Sequence, residues 1–412
     1  MSWALDIACV RLAEFVLGWG FQPASQLKPR AGPLVRGRTD ETKAKRTFSP
    51  GKLHWRPTGT LMDTTRKPKI VLLAAENTTP SVLYGLYDVL YSVGAVFADM
   101  TEGAPGPESM DVKIVSRDGL PFRCASNVLV EPQAAMSAIE EADAVVVCDM
   151  YSPISRAPAG EYPEIAAWLR GMHKRGALVA SVCAGALVLA EAGLLDGRDA
   201  AVHWAYGELF AKNYPLVRVQ RNCVLCLGAE EDGIITAGGV TSWQELALYL
   251  TATFCGHRQA CETAKIHLLA GHEDGQLPFA AMNRRINTSD LVISECQRWL
   301  AENFTLPNPV QAMAARTGLN GRTLSRRFGA ATGRSPIEYV QGLRIEEAKR
   351  ILENDATPAE DIGELVGYED PASFRRIFRR EVGVSPAAYR KKFAPLRAFA
   401  EGKAWAPDRS PR

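Results

Sequence analysis

The side chain best suited to chemistry in this sequence is the thiol of Cys183. It lies where the apolar run ALVAS meets AGALVLA, a pattern that predicts a sharp turn between a strand and a helix. The partial positive charge of a helix N-terminus favours the thiolate form of a cysteine placed there. His203 and Trp204 follow downstream, and Gly238 and Gly239 form a flexible turn. These residue types could form a nucleophilic site or the wall of a ligand pocket.

A nucleophilic cysteine needs a positioned base and a further group that orients the base. Glu76 is the carboxylate best placed to reach Cys183, whereas Asp88 falls about two turns into a predicted helix. His203 remains the candidate base, although the sequence does not fix its distance from the thiol. We therefore expect a ligand pocket rather than catalysis, with a purely structural dimerisation domain as the other interpretation. The predicted pocket residues are Cys183, Ala184, His203, Trp204, Gly238 and Gly239.

Cys223 and Cys226 form a CxxC pattern, which could bind zinc or exchange electrons. Zinc would need two more ligands at a suitable spacing, and none is obvious nearby. If RVQRNCVLCLG is one strand, residues three apart point to opposite faces of the sheet. The histidines His257, His267 and His272 do not recur at helical spacing. We therefore expect no metal site, no cofactor and no redox role.

Strands and helices alternate from residue 69 onward. KIVLLAA and ADAVVVCDM are continuous apolar runs that predict buried strands, and TTPSVLYGLYDVLYSVG has apolar residues at helical spacing. This alternation predicts an α/β domain with a doubly wound parallel sheet, over residues 69–270. The helix SWQELALYLTATFCG is apolar on more than one side, so we expect it to face both the sheet and the partner subunit of a dimer.

Two segments of this domain resemble a known family. They are CAGALVLAEAGLLDGR, followed four residues later by HW, and ITAGGVTSWQELALYL. Both are similar to the DJ-1/PfpI domain, of the class I glutamine amidotransferase-like fold, in the branch fused to AraC-type domains, the GlxA-like regulators. The resemblance implies that an enzyme would carry a histidine directly after Cys183 or an acid near Val82. Ala184 occupies the first position and no carboxylate occupies the second.

The chain repeats itself between residues 318 and 393. The motif GRSP at 333–336 returns as GVSP at 383–386, and Phe328 returns as Phe378, each 50 residues later. A fixed period indicates a duplicated supersecondary unit. Each copy reads as a short helix, a turn at a glycine and a second helix rich in arginine, a pattern that is typical of a helix-turn-helix.

In each second helix one stripe is apolar and the rest of the circumference is polar or basic. Such a helix packs on its own domain and offers its outer face to phosphates and base edges. The connecting helix, from Pro336 to Asn354, would be roughly 28 Å long, close to one duplex turn of ~34 Å. The residues predicted to contact DNA are Arg322, Thr323, Ser325, Arg326, Arg327, Ser373, Arg375, Arg376, Arg379 and Arg380.

These helices, with VGYEDPASFRRIFRREVGVSP and the closing YRKKF, resemble the AraC/XylS-type DNA-binding domain over residues 290–395. The resemblance implies an all-α domain with two helix-turn-helix motifs and operator DNA as partner. Together the two domains indicate a sequence-specific transcriptional regulator, expected to be a homodimer, that senses a small molecule of unknown identity. Related regulators often answer to amino acids or quaternary amines. The alternative is a DJ-1/PfpI-type cysteine hydrolase, lyase or glyoxalase with a DNA-binding appendage.

Composition sets the remaining expectations. No run of 18 apolar residues occurs, so no membrane span is expected. The nine cysteines are odd in number and lack regular spacing, which indicates reduced thiols in a cytoplasmic protein. We expect the protein to join the nucleoid when it is bound to DNA. Residues 1–69 hold 13 basic and 5 acidic residues, and we expect 1–68 to be a disordered extension, with native translation starting at Met62. Residues 271–289 are predicted to be a linker and 396–412 a flexible tail.

Overall fold

The structure, a computed structural model, describes residues 66–154, 160–228, 232–282 and 288–400. Residues 1–65 of the predicted basic extension, Met62 included, lie outside these residues, whereas Arg66 near its end pairs with Asp143 at 2.6 Å. The first domain is built on a sheet of seven strands. They are β1 (Lys69–Leu73), β2 (Asp111–Ser116), β5 (Ala134–Ala135), β6 (Ala144–Val147), β7 (Leu178–Val182), β10 (Leu225–Leu227) and β11 (Ile234–Ala237). Two short strand pairs lie outside this sheet: β3 (Phe122–Arg123) pairs with β4 (Leu129–Val130), and β8 (Asp199–Ala200) pairs with β9 (Arg218–Val219).

The strand order in the sheet is β10-β11-β7-β6-β1-β2-β5, and every pairing is parallel except that of β10 with β11. Nearly every side chain of β1, β6 and β7 is buried, which explains why these strands read as continuous apolar runs. The prediction of a doubly wound parallel sheet is confirmed. The single strand predicted over RVQRNCVLCLG is wrong, because residues 220–224 turn between β9 and β10.

Seven helices accompany the sheet in the described part of this domain. They are α1 (Pro80–Tyr91), α2 (Val96–Glu102), α3 (Pro163–Lys174), α4 (Gly185–Glu191), α5 (Gly207–Asn213), α6 (Trp243–Cys255) and α7 (His257–His267). Helix α6 packs on α1 and also on α7 of the same chain. That α6 also faces a partner subunit stays a prediction. No single described helix is long and apolar enough to cross a bilayer; α1 and α2 pass that test only as a pair bent by 56°.

The second domain is entirely helical in its described residues. Its helices are α8 (Leu291–Asn303), α9 (Pro309–Thr317), α10 (Gly321–Thr332), α11 (Pro336–Asn354), α12 (Ile362–Leu365), α13 (Pro371–Val382) and α14 (Pro386–Ala400). Helix α11 has the bounds expected from the sequence, and Ser335 and Glu338 close its first turn as a capping box. Helix α14 runs through Pro395 to Ala400, so the first five residues of the predicted flexible tail are helical.

Candidate nucleic-acid interface and ligand site

Helix α10 turns one stripe inward and exposes the opposite face. Leu324 and Phe328 are buried in the core of the domain, while Arg322, Ser325 and Arg326 are exposed and Thr323 is half-buried. The helix begins at a side-chain cap, in which the oxygen of Asn320 accepts the Thr323 N–H at 2.8 Å. The exposed stripe is therefore rigidly presented.

Arg327 differs from its neighbours because its guanidinium has a partner inside the domain. It donates to both carboxylate oxygens of Asp290, at 2.9 and 2.6 Å. Asp290 also caps α8 by accepting the Ile293 N–H, and the bond from Arg327 is the main cause that lowers the pKa of this carboxyl. Arg327 thus fastens α10 to α8, and its predicted DNA contact gives way to this internal role.

Helix α13 repeats the arrangement of α10. Phe374, Ile377 and Phe378 are buried, and Arg375, Arg376 and Arg379 are exposed. The half-buried Ser373 belongs to the start of the helix, where its N–H donates to Asp370 at 2.9 Å. Arg380 donates to Glu381 at 2.8 Å and to Gln341 of α11 at 3.1 Å, so it is partly engaged within the protein.

A buried arginine, which the sequence analysis did not single out, ties the two units together. Arg344 lies in the middle of α11 and donates to the carbonyl oxygens of Phe304 at 2.8 Å and Leu306 at 2.7 Å. Its guanidinium also lies 5.2 Å from the ring centroid of Tyr368, which precedes α13. The only signal in the sequence is a charged residue at an inward position of an amphipathic helix.

In the α/β domain, Cys183 occupies the predicted elbow between β7 and α4. Its φ is +52°, in the left-handed region, and its N–H donates to the Ala237 carbonyl at 2.7 Å. The thiol is buried, and this desolvation, followed by the nearby carboxylate of Asp149, raises its pKa well above the ordinary value. The prediction of a favoured thiolate is therefore wrong, because desolvation outweighs the end of a short helix.

The carboxylate beside Cys183 is Asp149, and neither Glu76 nor Asp88 takes that place. One oxygen of Asp149 accepts the Ala184 N–H at 3.0 Å, and the other accepts the hydroxyl of Thr79 at 2.5 Å. The sequence analysis missed Asp149. The available signal was its position at the carboxyl end of β6, since the ends of adjacent parallel strands meet at one edge.

The remaining predicted pocket residues gather at the same edge. His203 lies near Asp149, and its Nδ1 accepts the Ala205 N–H at 3.2 Å. Burial lowers the pKa of its ring. The Trp204 N–H donates to the side-chain oxygen of Gln276 at 3.2 Å, and a side chain added at Gly238 would overlap the amide of Gln276. Gly239 opens the turn into α6.

A cavity of about 780 Å³ opens at this edge beside the elbow. Its lining includes Tyr151 and Tyr162, and none of the six predicted pocket residues contributes to its wall. Asn77 ties together parts of the cavity wall, because its amide donates to the Tyr151 carbonyl and to the Tyr162 hydroxyl at 2.9 and 2.6 Å. Over the described ranges, no group of three or more His, Cys, Asp and Glu side chains could hold a metal ion.

Comparison with known proteins agrees with both domains. Residues 69–253 match the DJ-1/PfpI family, and residues 313–392 match a helix-turn-helix domain family. The HTH-type transcriptional regulator CdhR of Pseudomonas aeruginosa is 28% identical over 73% of this chain and 87% of its own length. GbdR of the same species is 23% identical (66% of this chain, 72% of the relative), and GlxA of Rhizobium meliloti is 24% identical (54% and 68%).

These relatives are regulators, which supports the prediction that the chain is not an enzyme. The chain therefore joins a DJ-1/PfpI domain to an AraC-type helix-turn-helix domain, and its relatives are HTH-type transcriptional regulators.

Proposed function

We propose that this regulator reads an operator through the outer faces of α10 and α13. The observation that carries the proposal is the matched presentation of two basic faces, each backed by a buried phenylalanine stripe, on either side of one continuous helix. Helix α11 has 19 residues and is about 28 Å long. That length suits two reading helices that enter successive major grooves of one duplex face.

The proposed contacts divide by side chain. Arg322, Ser325 and Arg326 of α10 are candidates for base edges, since this face mixes arginine with hydroxyl groups. Arg375, Arg376 and Arg379 of α13 form a denser positive face that suits phosphates, with Thr323, Ser373 and Arg380 at the margins. Arg327 is left out of the contact set because Asp290 holds it.

We further propose that a small molecule binds at the carboxyl edge of the sheet, in the cavity beside Cys183. The cavity volume lies within the range of small-molecule sites, about 300–1,000 Å³. Among the lining residues that the structure describes, four are acidic (Glu76, Asp118, Glu161 and Glu164) and one, Arg117, is basic, and two tyrosines add polarisable rings. This lining favours a cationic or zwitterionic effector, whereas the set predicted around Cys183, His203 and Gly238 lies outside the cavity wall.

In this proposal the effector acts by binding one arrangement of the protein better than another, which shifts the population presented to DNA. The protein works as a homodimer in the cytoplasm, on the nucleoid when bound, so that each chain contributes one pair of reading helices.

The test is genome-wide footprinting of the full chain with and without candidate amines and amino acids. We expect protected sites of defined sequence, and a change of affinity with at least one ligand that also raises the melting temperature. Uniform binding to all DNA, with no protected sequence at low or moderate salt, would refute the proposed function. Glu161→Gln provides the control for the cavity, because it removes one negative charge from the wall and leaves α10 and α13 unchanged.

A further inference from the structure

The segment between the two domains is packed rather than loose. We define residues 272–282 as the bridging segment. On the α/β side, the ring and N–H of His272 both bond to one carboxylate oxygen of Glu245, at 2.6 and 2.8 Å. On the helical side, Asp274 pairs with Lys392 at 2.7 Å, and the ring centroids of Phe279 and Phe393 lie 5.9 Å apart. The predicted linker therefore contacts both domains.

The α/β side of this segment is seated on the turn that contains the first cysteine of the CxxC pattern. Asn222 accepts the Gln276 N–H on its carbonyl at 3.4 Å and the Leu277 N–H on its side-chain oxygen at 3.1 Å. The side-chain amide of Gln276 donates to the Cys223 carbonyl at 2.7 Å. Gly275, with φ +72°, lies so close to Asn222 that an added methyl group would overlap it. A movement of this turn must therefore move the bridging segment.

The two thiols lie together, contrary to the expectation from a single strand. Cys226 is held in β10 opposite Thr236 of β11, whereas Cys223 lies in the turn just before β10. The Cys223 thiol donates to the Leu225 carbonyl at 3.1 Å, so it folds forward toward the peptide that joins Leu225 to Cys226. The interaction of the two thiols raises the pKa of Cys223 and lowers that of Cys226. Cys226 is the better thiolate, and Cys223 is the more exposed partner.

We propose that Cys223 and Cys226 form a reversible disulfide on exposure to a hydroperoxide, and that its closure loosens the bridging segment. The Cys226 thiolate attacks the O–O bond, which gives a sulfenic acid and releases hydroxide. The Cys223 sulfur then attacks the Cys226 sulfur, and the departing hydroxide takes the Cys223 proton and leaves as water. The cysteines lose two electrons in total; with hydrogen peroxide, the hydroxide from the first step takes up the proton that Cys226 lost on ionising, so two molecules of water are formed.

Closure has a direction because the two cysteines are unequally held. The sulfur atoms must approach to about 2.05 Å. Cys226 is fixed by the sheet, so Cys223 makes the movement and its thiol leaves the Leu225 carbonyl. The Cys223 carbonyl and the adjoining Asn222 are the acceptors that hold Gln276 and Leu277. When they move, the hydrogen bonds that hold the bridging segment on the α/β domain weaken, and this segment positions α14 and α11.

The first experiment tests the chemistry and uses the full chain with hydrogen peroxide, followed by alkylation and peptide mapping. We expect one peptide with Cys223 joined to Cys226, restored to two thiols by dithiothreitol. Cys255 is the internal control, since burial raises its pKa to about 11 and it should remain a thiol. Separate oxidation of the two cysteines without pairing, or no reaction at all, would overturn the proposal. Cys223→Ser, which keeps a donor toward Leu225, should abolish the pairing.

The second experiment tests the consequence by hydrogen exchange of the bridging segment, with operator affinity measured in parallel. We expect the Leu277 amide to exchange about tenfold faster after oxidation in the native sequence and at an unchanged rate in Cys223→Ser. An unchanged rate in both proteins would refute the transmission step even if the disulfide forms. The affinity readout rests on the proposed function: if neither the reduced nor the oxidised protein binds specific DNA, that function fails while peptide mapping still decides the disulfide.

Discussion

Replacing Arg326 with alanine separates DNA reading from folding, and the adjacent Arg327 provides the matched control. Arg326 is exposed, and within the described ranges it forms no ion pair, so its loss should change the free energy of unfolding by less than about 0.5 kcal/mol. If it contacts a base edge, the loss should cost about 1–3 kcal/mol of operator affinity. At 1.4 kcal/mol per factor of ten, the dissociation constant should rise roughly 5- to 150-fold.

Arg327→Ala removes the fork to Asp290, so we expect a lower melting temperature and little change in base preference. The assay is fluorescence anisotropy against an operator library at two salt concentrations, alongside thermal melts. Arg326→Ala should relax preference at one operator position, whereas a phosphate contact such as Arg379 should weaken all sequences alike and reduce the salt slope by about one. If Arg326→Ala bound every sequence as well as the native protein, the assignment of α10 to the major groove would be refuted.

Two further predictions concern packing and pH. A methyl group at Gly85 would lie 2.6 Å from the Trp243 ring, so Gly85→Ala should lower the free energy of unfolding by roughly 1–3 kcal/mol. A methyl group at Gly171 would meet only the flexible end of Arg175, at 3.4 Å, so Gly171→Ala should raise the free energy of unfolding by about 0.4–1 kcal/mol. Urea titration of both variants checks this, and equal shifts would contradict it. The bond from Glu245 raises the pKa of His272. The stability that this bond contributes is therefore fully present below about pH 6.5 and is lost as the pH rises through the folded-state pKa of His272. The melting-temperature difference between the native protein and His272→Ala should be larger near pH 6 than near pH 8.5, and the reverse order would contradict the pairing of His272 with Glu245.

The sequence by itself determined the two domains, most of the strands and helices, and which faces of α10 and α13 are buried or exposed. Periodicity is a local property: the apolar stripe through Leu324 and Phe328 defines which side of α10 is buried before any partner is known. The 50-residue repeat carried the same inference to α13. The continuous apolar runs of β1 and β6 indicated burial on both faces of a parallel sheet. These features agree with the structure because local and tertiary preferences point the same way.

Only the tertiary structure decided which residues meet across the chain. Asp149 joins Cys183 because β6 and β7 are neighbours in the sheet, and strand order is not encoded in the periodicity of either strand. Burial at that edge then reversed the expected ionisation of the thiol. Arg327 looks like its neighbours until Asp290 is brought to it from 37 residues away. The relative placement of Cys223 and Cys226 depends on the turn before β10, because a break in a strand changes which side chains share a face.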